Sequence, residues 1–317
     1  MTRPITLALR ALGLGDFLAG LPALQLLARG LPDHELVLAA PPVFAPLVEL
    51  VPFIDRLAPT GELLPLAAEF ESVDVAVDLH GNGPASRHLL SGLSPHHLVG
   101  FANPAAGLTG PSWFAGEHEV RRWCRLVSEA LDVGPGPWPG VAGAVGVPSV
   151  LMPAQLTIVH PGAAAVSRRW PPERFAEVAL ALRTRGHRVV VTGGAAEREL
   201  AERIADLSGA TTLLDLSLPA LFAAVAAARV VVSGDTGVAH VASNYRTPSV
   251  VLFGPVSPAA WGPPPDPRHV VLFYGDGRGD PHGAETDPAL LRITVPEVLD
   301  GVDRLTALMT NDDRRQR

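Results

Sequence analysis

The chain has 317 residues, 47% hydrophobic and 18% charged, the composition of a soluble globular protein long enough for two cores. Its net charge of −7 gives no support for nucleic-acid binding, and all 25 basic residues are arginine, which excludes a Schiff-base lysine and leaves Arg as the only phosphate clamp. A single cysteine, Cys124, rules out an internal disulfide and a cysteine-rich metal site; with no signal peptide and no bilayer-spanning apolar run, the cytoplasm is the expected compartment.

Ile5 to Leu9 reads as a strand and Phe17 to about Arg29 as a helix, with Arg10-Ala11-Leu12-Gly13-Leu14-Gly15-Asp16 between them. Leu36–Ala39, Ile54–Ala58 and Val73–Leu79 read as further strands, Val43–Val51 and Pro84–Leu90 as helices, and Leu98–Gly100 as a short strand. The Gly-, Pro- and Ala-rich stretch Phe101 to Gly116 reads as a long loop before an amphipathic helix, Glu117 to Leu131. Gly134 to Gly146 is the best linker candidate, and the same rhythm then restarts. Strands are expected at Leu156–Val159, Arg188–Thr192, Val230–Val232, Ser249–Phe253 and Val270–Phe273. Helices are expected at Pro172–Arg185, Glu197–Leu207, Pro219–Ala228 and Val295–Leu308, with a charged tail, Asn311 to Arg317, that frays. Two successive βα arrays imply an α/β fold of two Rossmann-like domains facing across a cleft, residues 1–147 and 148–317, with the last helix free to pack back on the first.

Three loops carry candidate chemistry. Gly13-Leu14-Gly15-Asp16-Phe17-Leu18 begins like a dinucleotide fingerprint, but Leu18 replaces the third glycine and the second strand ends in Ala39-Ala40 with no acid for a ribose, so a nicotinamide enzyme is not indicated. Asp16 at this strand end is then either a helix cap or a catalytic carboxylate. The loop His160 to Pro171 offers Pro161 and Gly162 followed by Arg168 and Arg169, which suits a diphosphate held by amides and charge together, although two adjacent arginines are more often a solvated pair. The turn Ser233-Gly234-Asp235-Thr236-Gly237, with His240 one turn on, follows a run of three valines and opens a helix whose free amides suit a phosphate. His96-His97 and the other histidines lack the spacing of a metal cluster.

Taken in order, these segments resemble glycosyltransferase family 9, the heptosyltransferase-like enzymes of the GT-B fold. The resemblance rests on Leu12 to Leu24, Asp78-Leu79-His80-Gly81-Asn82, His160-Pro161-Gly162, Arg168 to Phe175, Gly234 to Ala242, Thr247-Pro248, Leu252-Phe253-Gly254-Pro255 and Ile293-Thr294-Val295. It implies inverting transfer of a heptose-like sugar from a nucleoside diphosphate donor, ADP-linked in the usual case, to a hydroxyl of a glycan, a lipid-linked glycan or a metabolite. Asp16 matches the general base. Arg168 stands where the family usually has a phosphate-binding lysine, and Asp235, Thr236, Gly237 and His240 match the donor-binding turn. Gly15, Pro161, Gly162, Arg169 and Gly194 join the donor set, and His80 and Asn82 the acceptor side. No metal or other cofactor, no nucleic acid and no protein partner is implied, and the membrane enters only through a lipid-linked acceptor. Pro219 stands about where some members carry a glutamate for the donor's nucleoside. The first domain lacks a dense basic patch, and the loop 101–116 is where acceptor specificity is expected. The alternatives are a sugar-nucleotide binder that transfers nothing and a GT-B-like epimerase.

Overall fold

The computed structural model describes residues 3–134 and 142–316, with side chains up to residue 310. The chain divides into two compact units, Met1–Gly146 and Val147–Arg317. Of the expected linker, residues 135–141 lie outside the described residues.

The first unit is a parallel sheet of β1 (Ile5–Leu9), β2 (Glu35–Ala40), β3 (Arg56–Pro59), β4 (Val75–Asp78) and β5 (His97–Val99), in the order β3-β2-β1-β4-β5. Its helices are α1 (Leu14–Gly30), α2 (Ala45–Val48), α3 (Pro84–Ser91) and α4 (Glu119–Leu131). Strands β1, β2 and β4 are buried along almost their whole length, as a parallel sheet covered by helices requires. Helix α1 begins three residues earlier than expected, capped by the extended Gly13, so Asp16 lies in its first turn and not before it. The helix expected over Val43 to Val51 is a 3-10 turn, Pro42–Phe44, running into the single turn α2.

The loop after β5 is irregular as expected, apart from a 3-10 turn at Pro104–Ala106, but three arginines pin it. Arg87 donates to the Phe101 carbonyl, Arg122 to those of Phe114, Ala115 and Glu117, and Arg125 to that of Ser112. Two of these arginines also sit over aromatic rings, Arg122 at 4.1 Å from Trp113 and Arg125 at 4.8 Å from Phe114. These side chains therefore hold backbone in place and do not form a basic surface. Cys124 is buried, which pushes its thiol up to about 12 and leaves it unreactive.

The second unit has six parallel strands, β6 (Leu156–His160), β7 (Arg188–Gly193), β8 (Thr211–Leu214), β9 (Val230–Gly234), β10 (Ser249–Phe253) and β11 (His269–Phe273), in the order β11-β10-β9-β6-β7-β8. The helices are α5 (Pro172–Thr184), α6 (Arg198–Ser208), α7 (Leu218–Ala226), α8 (Gly237–Tyr245), α9 (Pro258–Trp261), α10 (Pro288–Arg292) and α11 (Val295–Gln316). Strand β8 is absent from the sequence reading because four partly exposed edge residues, Thr-Thr-Leu-Leu, carry no strong period. Helix α11 packs on α5, β10 and β11 of its own unit. It runs past Leu308 to Gln316 where a frayed tail was expected, since neither glycine nor proline stands there to stop it.

In both sheets the strand order reverses once, between β1 and β4 in the first and between β6 and β9 in the second. Crevices at such reversals, beyond the carboxyl ends of the strands, are where open α/β sheets take their ligands.

Candidate active site

Asp16 and His80 flank the reversal in the first unit, following β1 and β4 respectively. Asp16 keeps 30% of its side chain exposed and receives a hydrogen bond from Arg10 at 3.2 Å. Burial holds its carboxyl above the usual carboxylate range, against the pull of Arg10. Such a group is a stronger base than an exposed aspartate once it is ionised. Gly15 is its neighbour in the first turn of α1, in the first unit, while the other expected donor residues belong to the second. The His80 amide donates to Asp78 Oδ1 at 3.1 Å, while its ring Nδ1 is buried without a partner. Burial lowers the His80 ring below its ordinary value, with Asp16 among the charges acting on it, so it is neutral at neutral pH. Asn82 lends its carbonyl to Asn103 at 2.7 Å and leaves its own Oδ1 buried and unsatisfied. These two unpartnered polar atoms follow β4, at the strand reversal that Asp16 also borders, and are what a hydroxyl-rich ligand would complete.

The reversal in the second unit gathers the other candidates. His160 ends β6, buried, with its Nδ1 3.0 Å from Thr192 Oγ1; burial lowers its basicity, against the nearby Glu197. Pro161 and Gly162 follow, both buried, and a Cβ on Gly162 would lie 1.9 Å from Glu197 Oε1, so the glycine leaves room for that carboxylate where it stands. The loop is anchored by Trp170, whose Nε1 donates to the Ile293 carbonyl at 3.2 Å and whose ring meets Phe175 edge-on. Arg168 crosses to the turn after β9, donating from Nη2 to the Asp235 carbonyl at 2.6 Å and to Asp235 Oδ2 at 2.8 Å. Asp235 is therefore turned inward, behind the arginine, and burial raises its carboxyl against the effect of that partner. Arg168 keeps 26% of its side chain exposed and has a buried Nε with no partner. Arg169 braces its own loop, donating from Nε to the Ala163 carbonyl at 2.9 Å.

Thr236 occupies the N-cap of α8, but its hydroxyl makes no capping bond, which leaves the Gly237 end of the helix uncapped by a side chain. His240 is buried one turn on, edge-to-face with Trp261 at 6.0 Å. The loop after β11 clasps the Arg168 turn, with Ser167 N donating to Gly283 O and Asp287 N to Ser167 O, both at 3.1 Å. Gly194 donates its amide to Glu197 Oε2 at 3.0 Å.

Glu197 is the residue the sequence reading missed. Pro219 lies in the first turn of α7 and supplies no carboxylate; Glu197, four residues beyond β7, is an acid at the carboxyl end of the sheet. An acid after the second strand stands where a Rossmann unit can hold a ribose, a pattern the sequence reading applies only to the first half of the chain. Among the described residues no group of three or more His, Cys, Asp or Glu is arranged to hold a metal, and no helix is long and apolar enough to cross a membrane.

The model of glycosyltransferase family 9 (heptosyltransferase) matches residues 112–275, just over half of the chain. The chain belongs to glycosyltransferase family 9. It is thereby a glycosyltransferase, and the matched span takes in the whole Arg168–Asp235 constellation. Lipopolysaccharide heptosyltransferase 1 of Pseudomonas aeruginosa is 29% identical over 299 residues, covering 81% of this chain and 80% of that protein. The structure of Escherichia coli ADP-heptose lipopolysaccharide heptosyltransferase II superposes with a TM-score of 0.79 at 22% identity, over 96% of this chain and 99% of that one. The E. coli heptosyltransferase WaaC with ADP gives 0.73 at 22% identity, over 95% and 99%. The two Rossmann-like units are thus those of the GT-B fold, as the family 9 motifs implied.

Proposed function

We propose that this family 9 enzyme transfers a heptose-like sugar from an ADP-linked donor to a hydroxyl of a lipopolysaccharide-type acceptor, with inversion at the sugar. The observation that carries the reading is the pair of sheet reversals: a partly exposed carboxylate at one, and at the other a partly exposed guanidinium bound to the turn that opens α8. Asp16 takes the proton of the acceptor hydroxyl as its oxygen attacks the anomeric carbon, and the bond from that carbon to the β-phosphate oxygen breaks. The departing diphosphate gains charge, and Arg168 with the first amides of α8 stabilises it. Arginine in place of lysine brings a fork that grips two phosphate oxygens at once. Glu197, fixed by the Gly194 amide, is the acceptor for ribose hydroxyls, and His80 and Asn82 meet the acceptor. The choice of ADP, heptose and lipopolysaccharide draws on the names of the similar proteins. No metal takes part, so EDTA leaves the rate unchanged.

The test incubates the protein with ADP-heptose and lipopolysaccharide from a strain lacking core heptose, and reads the mass gain of the acceptor and the ADP released. UDP- and GDP-sugars serve as the comparison donors. Turnover confined to a different nucleotide would overturn the donor assignment, and ADP binding without any mass gain would overturn the acceptor.

A further inference from the structure

Arg10, at the end of β1, is 1% exposed, and a guanidinium so placed is costly unless every nitrogen is satisfied. Its Nε donates to the Asp16 carbonyl, Nη1 to the Leu79 carbonyl, and Nη2 both to Asp16 Oδ1 at 3.2 Å and to Glu119 Oε1 at 3.1 Å. One side chain thus ties the first turn of α1, the residue before His80 and the first turn of α4. Glu119 is fixed in turn by Trp123 Nε1, 2.6 Å from Oε1, and by Arg122 on Oε2. Helix α1 makes room for the arginine with a glycine: a Cβ on Gly20 would lie 2.6 Å from Arg10 Cδ.

The charges of this cluster cancel in only one state. Arg10 and Arg122 balance Glu119 and an ionised Asp16, whereas protonation of Asp16 leaves an uncompensated positive charge. We propose that Arg10, held by Glu119, is a positioning residue for the catalytic base: it aims one oxygen of Asp16 and keeps that carboxylate ionised, while Glu119 limits the strength of the grip. The inference rests on Asp16 being the base. The groups facing Asp16 are Arg10 just after β1, Glu119 from α4 and His80 after β4; Arg122 stands behind Glu119, and Asp78 and Glu62 act on His80. Arg10 draws the Asp16 carboxyl down and Glu119 draws it up, so removing each charge moves it in opposite directions.

The experiment titrates the full-length protein labelled with ¹³C at the aspartate carboxyls, the Asp16 resonance being identified by its loss in Asp16→Asn. Glu119→Gln is expected to lower the Asp16 midpoint and Arg10→Gln to raise it, each by about one pH unit. Arg10→Lys, which keeps the charge and loses the fork, moves it by less than half as much and lowers kcat. The acid limb of kcat/KM, measured with ADP-heptose and heptose-deficient lipopolysaccharide, follows the midpoint in every variant. Shifts of the same sign, or none, overturn the proposal, as does an acid limb that ignores the midpoint. Should Arg10→Gln fail to fold, Glu119→Gln decides alone, and an unmoved or raised midpoint sinks the idea. Full transfer by Asp16→Asn removes the base reading instead, an outcome separate from the titration.

Discussion

Each unit places an arginine–aspartate pair with one partly exposed member at the reversal of its strand order, and the two pairs are inside out relative to each other. In the first unit the arginine is buried at 1% exposure and the aspartate is the exposed partner at 30%. In the second the arginine is exposed at 26% and the aspartate buried at 6%. The same two residue types in the same topological place thus present opposite charges to a ligand, because each pair shows the solvent the member that lies outward. A carboxylate facing out can accept a proton, whereas a guanidinium facing out holds an anion. The buried member of each pair sets the position of the exposed one.

The contrast is broken most sharply at the exposed carboxylate. Asp16→Asn removes the proton acceptor at almost constant shape and should lower kcat by about 10³-fold, while ADP binding, followed by calorimetry, stays unchanged. The mirror experiment is Arg168→Ala, which should weaken ADP binding by about 10- to 100-fold through loss of a charge-assisted contact. It also leaves Asp235 buried without its partner, so stability falls as well. Arg168→Ala with Asp235→Asn should recover the melting temperature and not the affinity. Recovery of both would mean that the arginine only holds the turn together.

Gly20→Ala sharpens the comparison without altering a charge. The added methyl meets Arg10 and displaces it from Asp16, at a cost of about 1–3 kcal/mol in denaturant unfolding. The expected loss of kcat distinguishes a helix that merely packs from one shaped around the arginine. The smallest effect concerns His160. Its ring is held below the ordinary histidine value of 6.5 by burial, against the nearby Glu197. The unfolded chain therefore binds the extra proton first as pH falls, and this contribution destabilises the fold progressively below about pH 6.5. A melting curve series from pH 8 to 5 should show that decline, and His160→Asn should flatten it.

The chain announced its strands because they are buried on both faces: Val230-Val231-Val232 and Ser249 to Phe253 read directly, and the βαβ crossover they frame is parallel in the fold. Asp16, the Arg168 loop and the Asp235 turn were legible since glycine and polar residues interrupt apolar runs at strand ends. The partners of those residues were not. That Asp235 faces Arg168 across 67 positions, or that Glu119 reaches Arg10 across 109, depends on the order in which strands and helices assemble. Strand β8 was lost for the opposite reason, being a half-exposed edge with little pattern to read. Sequence spacing alone gives no sign that Arg87, Arg122 and Arg125 donate to main-chain carbonyls in and beside the loop after β5.

That loop has a consequence for variation. Its shape is fixed by bonds from outside to its own main chain, at Phe101, Ser112, Phe114 and Ala115, and those bonds are indifferent to most side chains along it. Residues 104–109 can accordingly be exchanged on an unchanged frame if Gly107, at φ +68°, is kept, whereas Asn103, which donates to the Asn82 carbonyl, and Gly110, whose Cβ would lie 2.0 Å from the Gly100 carbonyl oxygen, must stay.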